Sequence, residues 1–345
     1  MAFLTGVVEG FYGREWSWEA RRSYAQFLQQ TGLNSYLYCP KADPHLRKQW
    51  WQAWPDATET QLRALAQAYR QRHLNWGVGL SPYALYQDYS DPARKRLRNK
   101  LSRIDDLGGN LLAILFDDMP GDCPDLAARQ SEILTDVQHW SACEHLLVCP
   151  TYYSFDPQLQ RYFGARPEHY WSELGSGLPA ELQIMWTGNE VCSATISAAD
   201  ITAISKHLGR KPVLWDNYPV NDGEWASNFL HLTPLPGREA GLAQHIAGHF
   251  CNPMNQAQLS RYPLAGLAQL YGGASAAAED FYSLELCRQL RTDQALFEES
   301  GLGGIAPAER EQLASVYAKI GDPAALEIAD WLRGGYRFDP ACLTG

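Results

Sequence analysis

Eight short apolar runs recur along the chain, at residues 3–9, 35–39, 76–80, 112–116, 145–149, 182–186, 212–215 and 245–251. Runs of this length, bounded by polar and glycine-containing stretches, read as strands buried on both faces. Between them lie helical patterns with their own punctuation. Ala20, Tyr24, Phe27 and Leu28 share one helix face, and Gly32 is placed to end it. Thr58 and Gln61 are spaced as a capping box ahead of Leu62, Leu65 and Tyr69. Leu97, Leu101, Ile104 and Leu107 form a stripe that stops at Gly108-Gly109, and Ser197 with Asp200 opens a helix stopped by Gly209. Strand–helix alternation sustained over about 270 residues predicts an α/β fold, a (β/α)8 TIM barrel spanning residues 1–273. A doubly wound sheet shares this periodicity, but no G-x-G-x-x-G opens a helix after a strand and no Walker loop occurs. From residue 274 the pattern becomes wholly helical (274–299, 307–320 and 323–332, with a break at Gly301-Leu302-Gly303-Gly304), so residues 274–345 read as a small C-terminal helical appendage.

Charge and composition narrow the classes of partner. The balance of 29 basic and 39 acidic residues gives a net charge of −10, which disfavours nucleic acid and anionic membranes. The 12 Trp and 18 Tyr suit either a large aromatic core or a carbohydrate pocket, where sugar C–H faces pack on rings and hydroxyls find hydrogen bonds. The cysteines form no C-x-x-C pair, and Cys39, Cys149 and Cys251 read as buried thiols. His245 and His249 have metal-like spacing, but no glutamate follows the first as in a zinc protease, so no metal site is expected. No basic leader precedes the first strand and no run approaches a membrane span. The expectation is a soluble cytoplasmic protein without membrane contact. Two further clusters read as surface: Arg94-Lys95-Arg96-Arg98-Lys100 as a solvated helix face, and Trp50, Trp51 and Trp54 as either rim platform or packing.

In a barrel of this type, chemistry gathers where the strands end. Nearly every predicted strand end here carries polar or aromatic groups: Glu9-Gly10-Phe11-Tyr12, Pro40-Lys41-Ala42-Asp43, Asp117-Asp118, Thr151-Tyr152-Tyr153, Trp186-Thr187-Gly188, Trp215-Asp216-Asn217, and Asn252-Pro253. The aspartate pair stands out. A lone aspartate between strand and helix reads as an N-cap. Two adjacent acids at the end of a buried strand instead suit divided roles, one charged and one able to carry a proton.

Taken in register, Gly6 to Arg14, Tyr36 to Asp43, Leu115 to Asp118, Trp186 to Gly188, and Trp215 to Asn217 with Asn221-Asp222 resemble the signature blocks of glycoside hydrolase family 84. That family includes O-GlcNAcases and related β-N-acetylglucosaminidases, some called hyaluronidases. The resemblance covers roughly residues 3–260 and implies a (β/α)8 barrel. It implies retaining, exo-acting cleavage of terminal β-linked GlcNAc, in which the sugar's own acetamido oxygen is the nucleophile and an oxazoline the intermediate. In that mechanism Asp117 orients the acetamido group and Asp118 is the general acid and then base. Tyr153 matches a tyrosine that hydrogen-bonds the acetamido group, with Tyr152 able to exchange roles with it, and Trp215 matches an aromatic wall around the acetyl methyl. Gly10, Lys41, Asn217, Asp222 and Asn252 match groups that hold the sugar hydroxyls. The implied partner is a GlcNAc-bearing glycoside or glycoprotein, with no cofactor and no metal. The sequence departs from the family at Ala42, at Tyr152 and after Asp222, positions that bear on what is attached to the sugar. The competing readings are a barrel that binds GlcNAc-capped ligands without hydrolysis, and an endo-acting glycosidase on hyaluronan or chitin with Glu9 as the acid.

Overall fold

A parallel sheet that closes on itself has no edge strand and brings all its strand ends to one rim. The computed structural model, which describes residues 3–273 and 275–344, has this form. β1 (Leu4–Glu9), β2 (Ser35–Tyr38), β3 (Asn75–Leu80), β4 (Leu111–Leu115), β5 (His145–Cys149), β6 (Leu182–Trp186), β7 (Val213–Asp216) and β8 (Gly248–Cys251) form a closed barrel in sequence order. Every pairing is parallel, and β8 returns to β1 with Val7 opposite Cys251. The predicted (β/α)8 barrel is therefore correct. The last strand is shorter than the apolar run, because residues 242–244 form a 3-10 turn and His245 follows that turn instead of entering the sheet.

Helices clothe the barrel because every strand but β7 leads into a helical segment with a buried apolar face. They are α1 (Trp18–Thr31), α2 (Asp56–Arg70), α3 (Asp91–Asp105), α4 (Leu126–Trp140), α5 (Gln158–Phe163), α6 (Tyr170–Gly177), α7 (Ala198–Leu208) and α8 (Arg261–Leu270). Among the described residues only short 3-10 turns, Ala226–Asn228 and Leu242–Gln244, connect β7 to β8. α1 begins at Ser17, whose side chain accepts from the Ala20 N–H, and ends at Gly32 in the left-handed conformation. Ser197 and Asp200 form the expected capping box of α7. The one expected at Thr58 does not form. α2 starts three residues earlier, behind Pro55, which leaves Thr58 inside the first turn.

Beyond the barrel lie α9 (Leu284–Ala295), α10 (Pro307–Ile320) and α11 (Pro323–Leu332). Ala274, the predicted start of the helical appendage, lies outside the described residues. The predicted 274–299 helix is interrupted, because Ser283 caps a new helix by accepting from the Leu286 N–H. Leu286, Phe297, Tyr317, Ile328 and Trp331 bury a second core with Leu230 and Leu232 from the β7–β8 connection. Two carboxylates fasten these helices to barrel loops. Glu298 accepts from the N–H groups of Leu232 and Thr233, at 2.7 and 2.8 Å. Glu327 accepts from those of Gln258 and Leu259, both at 2.9 Å.

Two surface expectations change. Trp50 and Trp54 are buried and only Trp51 is exposed, so they are packing and not a platform. Lys100 is buried as well, with its ammonium donating to the Gln52 carbonyl at 3.0 Å and lying 3.3 Å from the Trp54 ring centre. Burial lowers its pKa to about 7.

Candidate active site

The two aspartates share a pocket because the chain turns at the second. Phe116 continues β4, its N–H bonding the Cys149 carbonyl at 2.8 Å. In an extended strand the next two side chains would face opposite sides. Asp118 instead takes a left-handed backbone, φ 54°, which aspartate tolerates better than most residues, and both carboxyls line one cavity.

Each aspartate is held differently. Asp117 is buried, and its Oδ2 forms an ion pair with Nζ of Lys41. Burial alone would depress the lysine pKa, but attraction to Asp117 outweighs it and Lys41 titrates above an ordinary lysine. Oδ1 of Asp117 is buried without a hydrogen-bond partner. Asp118 accepts from two phenols, Tyr12 at 2.7 Å on Oδ2 and Tyr153 at 3.1 Å on Oδ1. Burial pushes both tyrosine pKa values well up, so both remain hydroxyl donors.

A polar circuit forms the opposite wall. Asn217 Oδ1 accepts from Trp215 Nε1 at 2.9 Å and from Asn252 Nδ2 at 3.0 Å. Asn252 Oδ1 in turn accepts from the Gly10 N–H at 3.2 Å. Any side chain at position 10 would overlap the six-membered ring of Trp215, so only glycine lets that backbone approach the tryptophan. Asp222 accepts from the Tyr12 N–H at 2.7 Å, and burial raises its pKa to about 6. All nine predicted site residues line this one cavity: Gly10, Lys41, Asp117, Asp118, Tyr153, Trp215, Asn217, Asp222 and Asn252.

Other expectations are sorted by the same geometry. Tyr152 faces away, its hydroxyl donating to the Gly164 carbonyl at 2.8 Å, which leaves Tyr153 as the pocket tyrosine. Glu9 is enclosed by Arg21, whose Nε lies 3.0 Å from both carboxylate oxygens, and by the Tyr36 hydroxyl, outside the cavity lining. His249 Nε2 lies 3.0 Å from Asp216 Oδ2. Asp216, His249 and Cys251 group their ligand atoms within 4.8 Å, but Arg238 already donates to both oxygens of Asp216 and would face any cation placed there. The set is a buried ion pair in character.

Several lining residues were not anticipated: Tyr12, Cys149, Thr187, Val191, Cys192, Val220, Cys342 and Thr344. Tyr12 and Thr187 stand inside the strand-end blocks and were open to recognition there. Cys342 and Thr344 come from the segment after α11, where no local pattern marks them. Thr344 Oγ1 lies 3.4 Å from the Tyr153 hydroxyl.

Comparison with known proteins agrees with this geometry. The family model described as beta-N-acetylglucosaminidase matches residues 5–291. The chain belongs to the β-N-acetylglucosaminidase family. It is 32% identical to the Protein O-GlcNAcases of Rattus norvegicus and Mus musculus over 282 residues, 78% of this chain and 30% of theirs. It thus spans less than a third of the length of those curated relatives. An O-GlcNAc hydrolase mutant from Thermobaculum terrenum superimposes with a TM-score of 0.75 at 27% identity, covering 96% of this chain and 81% of that one. The β-N-acetylglucosaminidase match takes in every cavity residue except Cys342 and Thr344. Among the described residues, no helix is long and apolar enough to cross a membrane.

Proposed function

We propose that the protein is a retaining exo-β-N-acetylglucosaminidase that removes terminal β-linked GlcNAc from a glycoside or glycoprotein by substrate-assisted catalysis. The observation that carries this reading is the unequal holding of the aspartate pair. A buried carboxylate with one oxygen paired to Lys41 and the other unpartnered is prepared to accept one N–H, and a 2-acetamido group supplies one.

In the first step the acetamido oxygen attacks the anomeric carbon as the glycosidic C–O bond breaks. Asp117 accepts the acetamido N–H and balances the positive charge that grows on the forming oxazoline. Asp118 gives its proton to the departing oxygen. In the second step Asp118, now a carboxylate, takes a proton from water. The water oxygen bonds to the anomeric carbon, the oxazoline ring opens, and the β-configuration is retained. No enzyme carboxylate bonds to the sugar, so the spacing rule for two-carboxylate glycosidases does not govern this pair.

Trp215 and Tyr153 are assigned to the acetyl group. Gly10, Lys41, Asn217, Asp222 and Asn252 are assigned to the sugar hydroxyls, each of which needs a partner once water is excluded. The eight cysteines are all free thiols, which supports action in a reducing compartment such as the cytoplasm. The deciding experiment compares aryl β-GlcNAc with aryl β-glucoside and titrates a thiazoline mimic of the oxazoline. Hydrolysis of the first sugar alone, with strong thiazoline inhibition, is expected. Equal hydrolysis of the glucoside, or no inhibition, overturns the reading.

A further inference from the structure

Arg47 follows a 3-10 turn (Pro44–Leu46) after β2 and is not a lining residue of the cavity, yet it reaches Asp118 at two points. Its Nη2 donates to the main-chain carbonyl of Asp118 at 2.9 Å. Its Nη1 donates to the Tyr12 hydroxyl, which donates in turn to Asp118 Oδ2 at 2.7 Å. The guanidinium stays 4.0 Å from that carboxylate oxygen and makes no direct hydrogen bond with it.

We infer that Arg47 is a positioning residue for Asp118, fixing the acid's backbone directly and its carboxyl through Tyr12. The inference rests on the acid role assigned to Asp118 above. It follows from two features. The left-handed turn at Asp118 puts its carboxyl in the pocket, and the Arg47 bond ties down the carbonyl of that same turn. The second feature is the contrast with the neighbouring aspartate. Lys41 pairs with Asp117 directly, whereas a phenol stands between Arg47 and Asp118. A neutral hydroxyl orients a carboxyl in either protonation state, since it can donate to the carboxylate or accept from the acid. A bidentate guanidinium could only favour the charge. Arginine suits the task because its planar fork offers two donors in fixed relation, and lysine offers no such fork.

The test is a leaving-group series of aryl and alkyl β-GlcNAc substrates on wild type, Asp118→Asn, Arg47→Met, Arg47→Lys and the Arg47→Met/Asp118→Asn double variant. Losing the general acid costs about 10²–10⁴-fold on poor leaving groups, and mispositioning it is expected to cost Arg47→Met about 10–100-fold there. On the dinitrophenyl glycoside the expected loss is below about 3-fold, since that leaving group needs little protonation. Arg47→Lys should recover only part of the loss, and the double variant should be no worse than Asp118→Asn alone. Thiazoline affinity should stay within about twofold, because Asp117 binds that part of the ligand. A uniform Arg47→Met loss across the series, while Asp118→Asn remains graded, overturns the positioning role and leaves the acid assignment standing. A flat series for Asp118→Asn itself removes the acid assignment, and the inference with it. Should Arg47→Met fail to fold, the same gradient is read from Arg47→Lys.

Discussion

Lys41 and Asp117 form a buried ion pair between the ends of β2 and β4 that occupies one carboxylate oxygen and leaves the other free. Removing either partner alone strands the other as a buried charge. Asp117→Ala should therefore destabilise the fold by about 3–5 kcal/mol, and adding Lys41→Met should recover most of it. Denaturant midpoints for the two single variants and the double variant would show this. A double variant no more stable than Asp117→Ala would mean that Lys41 is solvated in the pocket.

Turnover should respond to Asp117 in a way it does not respond to Asp118. In the proposed mechanism Asp117 acts on the nucleophile, so Asp117→Ala is expected to slow even dinitrophenyl β-GlcNAc by about 10²–10³-fold. Rates on that activated substrate within a few-fold of wild type would remove Asp117 from the mechanism.

Acyl chemistry should set the rate. Electron withdrawal weakens the acetamido oxygen as a nucleophile, so mono-, di- and trifluoroacetyl analogues should react progressively more slowly with little change in size. A 2-hydroxyl sugar should not react, because it lacks the nucleophile and leaves Asp117 and Tyr153 unmatched. A flat fluorine series would place acetamido attack outside the slow step.

Stability should fall with pH through Glu327. Burial raises the pKa of this α11 carboxyl to about 7 against an ordinary 4.5. The folded chain therefore holds the proton where the unfolded chain has released it. Below about pH 4.5 both states are protonated and the group costs nothing, and the penalty builds as pH rises to about 7, reaching about 3 kcal/mol. Glu327→Gln should gain stability relative to wild type across that window, measured by urea unfolding at pH 4.5 and 7.5. A difference independent of pH would mean that the carboxyl is solvated.

The segment carrying Cys342 and Thr344 borders the Asp118 side of the pocket, through Tyr153. Deleting residues 341–345 should raise turnover of a GlcNAc-peptide several-fold relative to an aryl glycoside. An unchanged ratio would show that the segment does not obstruct large aglycones.

What the sequence displays follows from how local each signal is. The cavity residues that follow β1, β2 and β4 through β8 stand within a few positions of their strand ends, so apolar runs and the polar groups after them locate both barrel and pocket. Tyr152 and Tyr153 could not be separated by pattern, since both follow β5 closely. The Gly164 carbonyl decides between them, and it belongs to a distant turn. Arg47 and Thr344 reach the site through tertiary packing alone. Lys100 looks like its charged neighbours on α3, and only the Trp54 ring beneath it shows that it is buried. Ser283 was a legible helix start hidden inside a segment rich in alanine and glutamate.

Gly10 and Thr344 line the same cavity from near opposite ends of the described chain. A nascent polypeptide leaving the ribosome presents Asp117 and Asp118 long before Cys342 and Thr344 have been made. The barrel can close around the aspartates early, while α9–α11 dock later and bring the last wall with them. Until that segment has docked, Tyr153 and its aspartate lack one wall of their pocket, and the finished shape of the site waits on α9–α11.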